Sequence, residues 1–311
     1  LGRFVSEPLF IKSVSKILIT GASGIIGTRL TELFIQRGHA VVHLGRTKRT
    51  GKIPCFMWDV EKGMIEEDTF DGVDAVVHLA GAGVADQRWT KKRKQEILES
   101  RTKSTALLAR HLENYPNVKA IVSASAIGYY GFGLTDEEYT EESNPGTDYL
   151  ATVVSAWEGE VDKIQNKRVV KIRIGIVLSE KGGALKEMMK PIQWGVGAPL
   201  GTGKQSMSWI HLDDLCRMFM RAVEDQTMRG AYNATGPYAV TNKELTRALA
   251  KALHKPLWLP PVPKFVLKLV VGEMADIVLN GSIVSSKKIQ QTGFTFQFNS
   301  LEEALNNLLE S

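Results

Sequence analysis

The chain has 311 residues, a formal charge of +5, two cysteines and 43% hydrophobic residues. That length holds two moderate domains or one large domain with a smaller lobe, and the composition excludes disordered, collagenous and disulfide-framed classes. The charge is mild and dispersed, which argues against a nucleic-acid partner, and no apolar run reaches the ~18 residues of a membrane span.

Residues 1–15 have no signal-peptide pattern and are read as an N-terminal arm, a trimmed presequence or a cloning remnant, outside the fold. Organisation starts at Lys16, where an apolar, β-branched run ends at Thr20 and meets the triplet Gly21, Gly24 and Gly27, followed by an apolar-periodic segment to Gln36. This is strand, tight loop, helix. Gly21 suits the sharp turn, Gly24 lets a diphosphate approach, and Gly27 lets the helix lie close on the strand. Free N–H groups at the helix start then face an anion. The spacing G-x-x-G-x-x-G is one residue away from the dinucleotide fingerprint, and alone it also fits a plain strand-to-helix turn. Thr20, Gly21, Ser23, Gly24, Ile25, Ile26 and Gly27 are the candidate binding residues here.

The next strand, Ala40 to Leu44, ends in Gly45-Arg46-Thr47-Lys48-Arg49, three cations without an acid. A carboxylate at this point would select a ribose 2′-OH, whereas cations suit a 2′-phosphate, so NADP is favoured over NAD, with Arg46 and Thr47 as its contacts. An ordinary basic loop is the alternative. Ile53 to Trp58 and Asp74 to Leu79 are continuous apolar runs, as in buried parallel strands. Their ends place Asp59 toward the adenine edge and Leu79, Ala80 and Gly81 along the cofactor path. His78 reads as a satisfied core histidine. A long amphipathic helix covers Thr90 to Glu113, its run Lys91 to Lys94 reading as a solvated face, and a strand follows from Val118 to Ser123. The alternation predicts an α/β fold, a Rossmann-type doubly wound parallel sheet with a smaller mixed C-terminal lobe.

By Ser123-Ala124-Ser125-Ala126-Ile127-Gly128-Tyr129-Tyr130-Gly131 the chain resembles the extended short-chain dehydrogenase/reductase superfamily, in its atypical branch of nucleoside-diphosphate-sugar epimerase-like proteins. Thr20-Gly21-x-x-Gly24-x-x-Gly27, Leu79-Ala80-Gly81 and Tyr130-Gly131 are superfamily-wide marks. Arg88-Trp89-Thr90, Ser100-Arg101-Thr102, Trp157-Glu158, the run Gly201 to Leu215, Gln291 to Phe296 and Leu301 to Leu305 are marks of the branch. The resemblance runs from Lys16 to Leu309. It implies an NADP-binding domain over 16–178 that takes in part of 206–235, and a substrate loop with C-terminal lobe over 179–311. Arg101 and Ile176 join the cofactor candidates on the same ground.

Active superfamily members combine a Ser or Thr, a Tyr, and a Lys four residues after the Tyr, so that a phenolate takes a proton as hydride moves. Here the hydroxyl position holds Ala126 with Ser125 beside it, the tyrosine candidate is Tyr149, and four residues on stands Val153. A phenol without that cation titrates near 10 and is a poor base. Tyr149 and Ser125 are thus the catalytic candidates of an incomplete constellation. Tyr149 at a helix start could equally pack the core.

Val169 to Leu178 reads as a sixth strand with its exit loop, and the resemblance puts Gly175 and Ile176 at the nicotinamide. Gly195 to Gln205 resembles a substrate loop, with Gln205, Ser208 and Trp209 offering hydrogen bonds and a stacking face. Asp213 reads as the cap of a helix from Asp214, and His211 as a structural hydrogen-bonder rather than a proton donor. Thr241 caps a helix to Leu253, and Lys264 to Leu279 reads as an amphipathic helix whose stretch Val266 to Val271 is either core or an oligomer contact. Cys55 and Cys216 read as buried thiols in a reduced compartment, hence the cytoplasm. His39 and His43 lie about 13 Å apart along a strand at ~3.3 Å per residue, too far to share a metal ion. The expected protein is an NADP(H)-dependent oxidoreductase or epimerase for a small hydroxyl- or carbonyl-bearing substrate, monomeric or homodimeric, without a nucleic-acid or membrane partner. The competing expectation is a non-catalytic NADP(H)-sensing protein.

Overall fold

In the computed structural model the described residues are 14–48, 51–131, 133 and 137–309. Arg49 and most of the N-terminal arm lie outside them. The first half alternates as β1 (Lys16–Thr20), α1 (Ile25–Gln36), β2 (Ala40–Gly45), β3 (Cys55–Asp59), β4 (Met64–Ile65), β5 (Ala75–His78), α2 (Lys91–Leu112) and β6 (Ala120–Ala126). After β7 (Glu138–Tyr139) come α3 (Tyr149–Val161), β8 (Arg168–Ile174), β9 (Ile176–Leu178), α4 (Gly183–Gln193), β10 (Ser206–Met207), β11 (Trp209–His211), α5 (Leu212–Glu224) and β12 (Gly230–Ala234). The chain closes with β13 (Val240–Thr241), α6 (Asn242–Ala252), α7 (Lys264–Val271), α8 (Ala275–Leu279), β14 (Ile283–Val284), α9 (Lys287–Gln291) and α10 (Leu301–Leu309).

One eight-stranded sheet runs β12-β8-β6-β5-β1-β2-β3-β4, parallel except for β4. Successive side chains of a strand face opposite sides, so Ile17 and Ile19 meet Leu30 and Phe34 of α1 and Leu215 and Phe219 of α5. Leu18, with Val76 and Ile121, instead packs against Leu107, Leu108 and Leu112 of α2. Because the chain leaves β1 toward β2 and returns on its other side at β5, the order reverses between β1 and β5. A doubly wound sheet opens its ligand crevice there.

The C-terminal lobe has its own core of Leu178, Leu185, Ile192, Trp209, Leu249 and Leu305. Its α6 starts at the expected cap Thr241, which forms a capping box with Glu244. Three expectations change. The predicted sixth strand breaks at Gly175, where a Cβ would come 2.4 Å from the Ser208 carbonyl. β9 therefore leaves the sheet and pairs with β11. The single helix over Lys264 to Leu279 is interrupted at Gly272 (φ +64), leaving α7 with no buried residue and Phe265, Leu269 and Val270 exposed. Cys216 is buried, but Cys55 is only half-buried. Among the described residues no helix is long and apolar enough to cross a membrane.

Candidate functional site

Thr20 ties the two strand ends at the crevice together. Its Oγ1 accepts from the N–H groups of Leu79 (3.1 Å) and Ala80 (3.2 Å) and lies 2.8 Å from His78 Nδ1. With its acceptor sites used, the hydroxyl donates to Nδ1, so the histidine proton sits on Nε2, facing Thr105 Oγ1 at 3.1 Å. Burial, reinforced by the Arg101 charge, takes His78 down to about 3 and keeps it neutral. It is a satisfied core histidine, as read from the sequence. Thr20 is fully buried, its hydroxyl spent inside the protein.

The three glycines differ in what requires them. Gly21 has φ +66, and a Cβ there would come 2.8 Å from the Leu79 carbonyl carbon. A Cβ on Gly27 would lie 2.6 Å from Ala22 Cα. Gly24 is exposed, and a Cβ on it would meet nothing closer than the Gly21 oxygen at 3.5 Å. Nothing inside the protein asks for a glycine at that position; the space it leaves is on the open side. Gly24 caps α1 without a side-chain hydrogen bond, and the first turn carries no acid. The N–H groups of Ile25, Ile26 and Gly27 therefore lack helical acceptors, with Ser23 exposed beside them. This cradle fits a diphosphate.

In register, Thr20 stands opposite Leu44, so Gly45 ends β2 and Arg46 and Thr47 follow it next to the glycine loop. Arg46 and Thr47 are exposed, and Arg46 has no ion pair among the described residues, whereas Lys48 pairs with Glu66 at 3.5 Å. Asp59 differs from its expected place at the adenine edge in what its carboxylate does. It accepts from the Lys62 backbone N–H at 3.0 Å, which holds its carboxyl below the usual range, and its side chain closes its own turn.

Beyond β5, Leu79, Ala80 and Gly81 line the crevice, and α2 holds the loop that follows. Ser100 Oγ accepts from Ala82 N–H (3.0 Å), and Arg101 Nη1 donates to the Ala82 and Ile97 carbonyls (3.0 and 2.9 Å). Arg93 is buried, donating to the Gly83 carbonyl and pairing with Glu96 at 2.9 Å. The run Lys91 to Lys94 is thus no uniform solvated face, since a 3.6-residue period puts Arg93 on the inner side with Ile97. Lys94 pairs with Glu273 of the C-terminal lobe.

The catalytic candidates are not brought together. Ser125 is buried on β6 and donates to Glu158 Oε1 at 2.6 Å, so its hydroxyl is spent inside the protein. Glu158 also receives Arg173 Nε and Nη2 at 2.8 and 2.9 Å. Burial pushes the Glu158 carboxyl up, but Arg173, with Ser125 and Lys171, outweighs it and holds the group below its ordinary range. Arg173 further reaches the Tyr130 hydroxyl at 3.0 Å, which donates to Asn233. A charged residue inside the apolar run Ile172-Arg173-Ile174 was the available signal for this network.

Tyr149 opens α3, where Asp148 caps the helix by accepting from Ala151 N–H. Its hydroxyl donates to the Lys94 carbonyl at 2.9 Å, its ring stands edge-on to Trp89 at 4.9 Å, and Lys94 Nζ lies 5.0 Å from the ring centroid. Burial raises its pKa, and the charges of Arg101 and Arg93 offset that only in part. Val153, one turn on, is buried. A cleft of about 370 Å³ lies over this corner, lined by Trp89, Lys91, Lys94, Gln95, Tyr149 and Glu273.

Ile176 is half-buried at the start of β9, its N–H bonded to Ser208 O. The residues expected to offer substrate contacts face inward instead. Gln205 donates to the Leu200 and Val278 carbonyls, Ser208 to Ser282 O, and Trp209 is in the lobe core. Asp213 is not the cap of α5. His211 is, its Nδ1 accepting from Asp213 N–H, while Asp213 takes both Arg29 Nε and Nη2 at 2.7 and 3.0 Å. Among the described residues no group of three or more His, Cys, Asp or Glu could hold a metal ion.

Residues 17–235 match the profile of the NAD dependent epimerase/dehydratase family, and residues 262–308 that of a domain of unknown function, DUF1731. The Arabidopsis thaliana epimerase family protein SDR39U1 homolog, chloroplastic, is 36% identical over 308 residues, covering 96% of this chain and 88% of that protein. The Bacillus subtilis epimerase family protein YfhF is 35% identical over 299 residues, covering 94% and 97%. Among solved structures, human epimerase family protein SDR39U1 (isoform2) with NADPH superposes with a TM-score of 0.85 at 32% identity, over 95% of this chain and 99% of that one.

Proposed function

The chain belongs to the NAD dependent epimerase/dehydratase family, and from that premise we propose that it binds NADP(H) and works as an oxidoreductase or epimerase on a small hydroxyl- or carbonyl-bearing substrate. The observation that carries this is the cradle at Gly24: an uncapped helix start and a missing Cβ for which the protein itself has no use. Ser23 to Gly27 hold the diphosphate, Arg46 and Thr47 the 2′-phosphate, the backbone at Asp59 the adenine side, and Leu79 to Gly81 with Ile176 the remaining wall. The NADPH carried by the human relative supports the choice between cofactors.

When bound, the cofactor supplies hydride chemistry at its nicotinamide. This chain's residues bind and orient it. Tyr149 keeps its proton at neutral pH and serves as a hydrogen-bond donor or acid, not a base, once its hydroxyl leaves the Lys94 carbonyl.

A fluorescence titration tests the cofactor reading. NADPH is expected to bind more tightly than NADH, and Arg46→Asp to cost about 10- to 100-fold in NADPH affinity, the worth of a charged hydrogen bond. Equal affinities would refute the 2′-phosphate assignment. A second reading, a non-catalytic NADP(H) sensor, is favoured by the occupied hydroxyls of Ser125 and Tyr149 and by Val153. Tight NADPH binding with no oxidation by any carbonyl compound in a broad screen supports the sensor; turnover that Tyr149→Phe abolishes supports the enzyme.

A further inference from the structure

The helix α7 is one that the rest of the protein does not cover. It has eight residues and none of them is buried, although a helix shorter than about 12–15 residues draws its stability from packing an apolar face. Val266, Leu267 and Val271 are half-buried, whereas Phe265, Leu269 and Val270 are 64–77% exposed. The exposure does not stop at the helix. Trp258 Nε1 donates at 3.0 Å to the carbonyl of Gly195, the residue between Trp194 and Val196, and all three of these large side chains are exposed. Val262 then pairs with residues 199–201, its N–H donating to Pro199 O at 2.8 Å and its carbonyl accepting from Gly201 N–H at 2.9 Å, and α7 begins two residues on. The apolar side chains thus follow one another along paired chain, where the surface of a free-standing protein carries them singly.

The charge over the same segments has one sign. From Leu245 to Gly272 the chain carries five Lys or Arg and no Asp or Glu, and from Trp194 to Lys204 it carries no acid. Lys251 is met by Glu302 of α10. Lys255 and Lys264 are exposed and have no ion pair among the described residues, and Lys268 meets Asp276 only at 3.8 Å, with both side chains about half in solvent. Glu273, the first acid after α7, is taken by Lys94. A second copy of the chain is a poor occupant for such a face, because in a two-fold pair the patch meets itself and sets lysine against lysine. A negatively charged lipid surface matches all of it: phosphates for the cations, the interfacial layer for the tryptophans, and the acyl boundary for the apolar side of a short helix.

We propose that α7, with Trp194 and Trp258, docks the protein on the surface of an anionic lipid bilayer. Phe265, Leu269 and Val270 enter the head-group boundary, and Lys255, Lys264 and Lys268 meet lipid phosphates. An apolar run too short to cross a bilayer can still lie against one, so the expectation of no membrane partner changes here. Docking also brings the cleft over Tyr149 toward the bilayer, since Arg88 Nη2 donates to Leu269 O at 3.3 Å and Glu273, just past α7, lines that cleft.

Co-sedimentation with vesicles tests this on the full chain. Vesicles of equal parts phosphatidylglycerol and phosphatidylcholine are expected to bind the protein about tenfold or more tightly than phosphatidylcholine alone, and less tightly as salt is raised. Phe265→Asp with Leu269→Asp should abolish the binding, and Lys264→Glu with Lys268→Glu should weaken it about tenfold or more. None of the four side chains is buried, so both variants should keep the thermal midpoint within about 2 °C. Should one of them not fold, tryptophan emission decides without touching α7: anionic vesicles are expected to shift it to the blue in the wild type and not in Trp194→Phe with Trp258→Phe. No binding to anionic vesicles, equal binding to neutral ones, or binding that both α7 variants retain would overturn the proposal. So would a wild-type dimer in sedimentation velocity that Phe265→Asp with Leu269→Asp splits while vesicles stay unbound, which gives the face to a second copy.

Discussion

Glu158→Gln is expected to be among the most destabilising single changes in the chain. The wild-type carboxylate is met by Arg173 through two N–H groups at 2.8 and 2.9 Å and by the Ser125 hydroxyl at 2.6 Å, with Lys171 Nζ at 3.5 Å. Glutamine keeps the shape but turns one oxygen into a donor that faces a donor. Lys171 still has Asp162, but Arg173, only 3% exposed, keeps its charge with the Tyr130 hydroxyl and the Glu141 carbonyl as neutral partners. Removing one partner of a buried pair costs about 3–5 kcal/mol, a large share of a typical ~5–15 kcal/mol stability. At roughly 2–4 °C per kcal/mol, the midpoint falls on the order of 10 °C.

Urea unfolding followed by far-UV circular dichroism measures the loss, and a change under about 1 kcal/mol would refute the reasoning. The double change Glu158→Gln with Arg173→Met should recover part of it, because no buried charge is then left alone. The pH dependence has a fixed sign. Glu158 titrates lower in the folded chain than its unfolded value of about 4.3, so its contribution is present above that pH and is lost as pH falls through the folded value. The variant should lack this acid-side loss.

Gly24→Ala should leave the thermal midpoint of ligand-free protein unchanged within about 1 °C and weaken NADPH binding about tenfold or more, whereas Gly27→Ala, whose Cβ would lie 2.6 Å from Ala22 Cα, should lower stability itself. Equal midpoints for the two variants would remove the distinction between packing glycine and cradle glycine. His78 supplies a pH effect of the same direction as Glu158 but in a higher window. Its folded value of about 3 lies below the unfolded ~6.5, so protonation of the unfolded chain between pH 7 and 5 takes away about 2 kcal/mol. His78→Gln should flatten that slope in urea titrations at the two pH values; parallel slopes would count against a neutral buried imidazole.

The crevice was legible because each of its parts leaves a local trace: a glycine triplet between a β-branched run and a helical period, and apolar strands ending in small residues. The Thr241 cap of α6 was legible for the same reason. What the sequence concealed depends on partners distant along the chain. Gln205 and Ser208 are polar residues in or just after a glycine-rich segment, and the return of residues 278–284 past them turns them inward, while Trp209 is taken up by Leu185, Leu249 and Leu305. Asp213 has the right chemistry for a cap, but Arg29, 184 residues earlier, claims it, and His211 takes the role. The break at Gly175 was hidden because Ile174 and Ile176 continue the same apolar pattern on both sides.

The path of the chain through the two lobes has a consequence for how this protein is made. By residue 174 the emerging polypeptide has supplied β1, β2, β3, β5, β6 and β8, and the sheet still lacks β12 along the edge of β8. That strand arrives only after β9, α4, β10 and β11 have gone out into the C-terminal lobe and α5 has come back to lie on α1. Later still, α9 packs beside β12 and Phe294 joins the core beneath α5. Neither lobe is a contiguous stretch of chain, so a ribosome cannot finish one before beginning the other. A fragment cut near residue 178 keeps the glycine loop but exposes Val170 and Ile172 along an open strand edge, a surface prone to pairing with other unfinished chains.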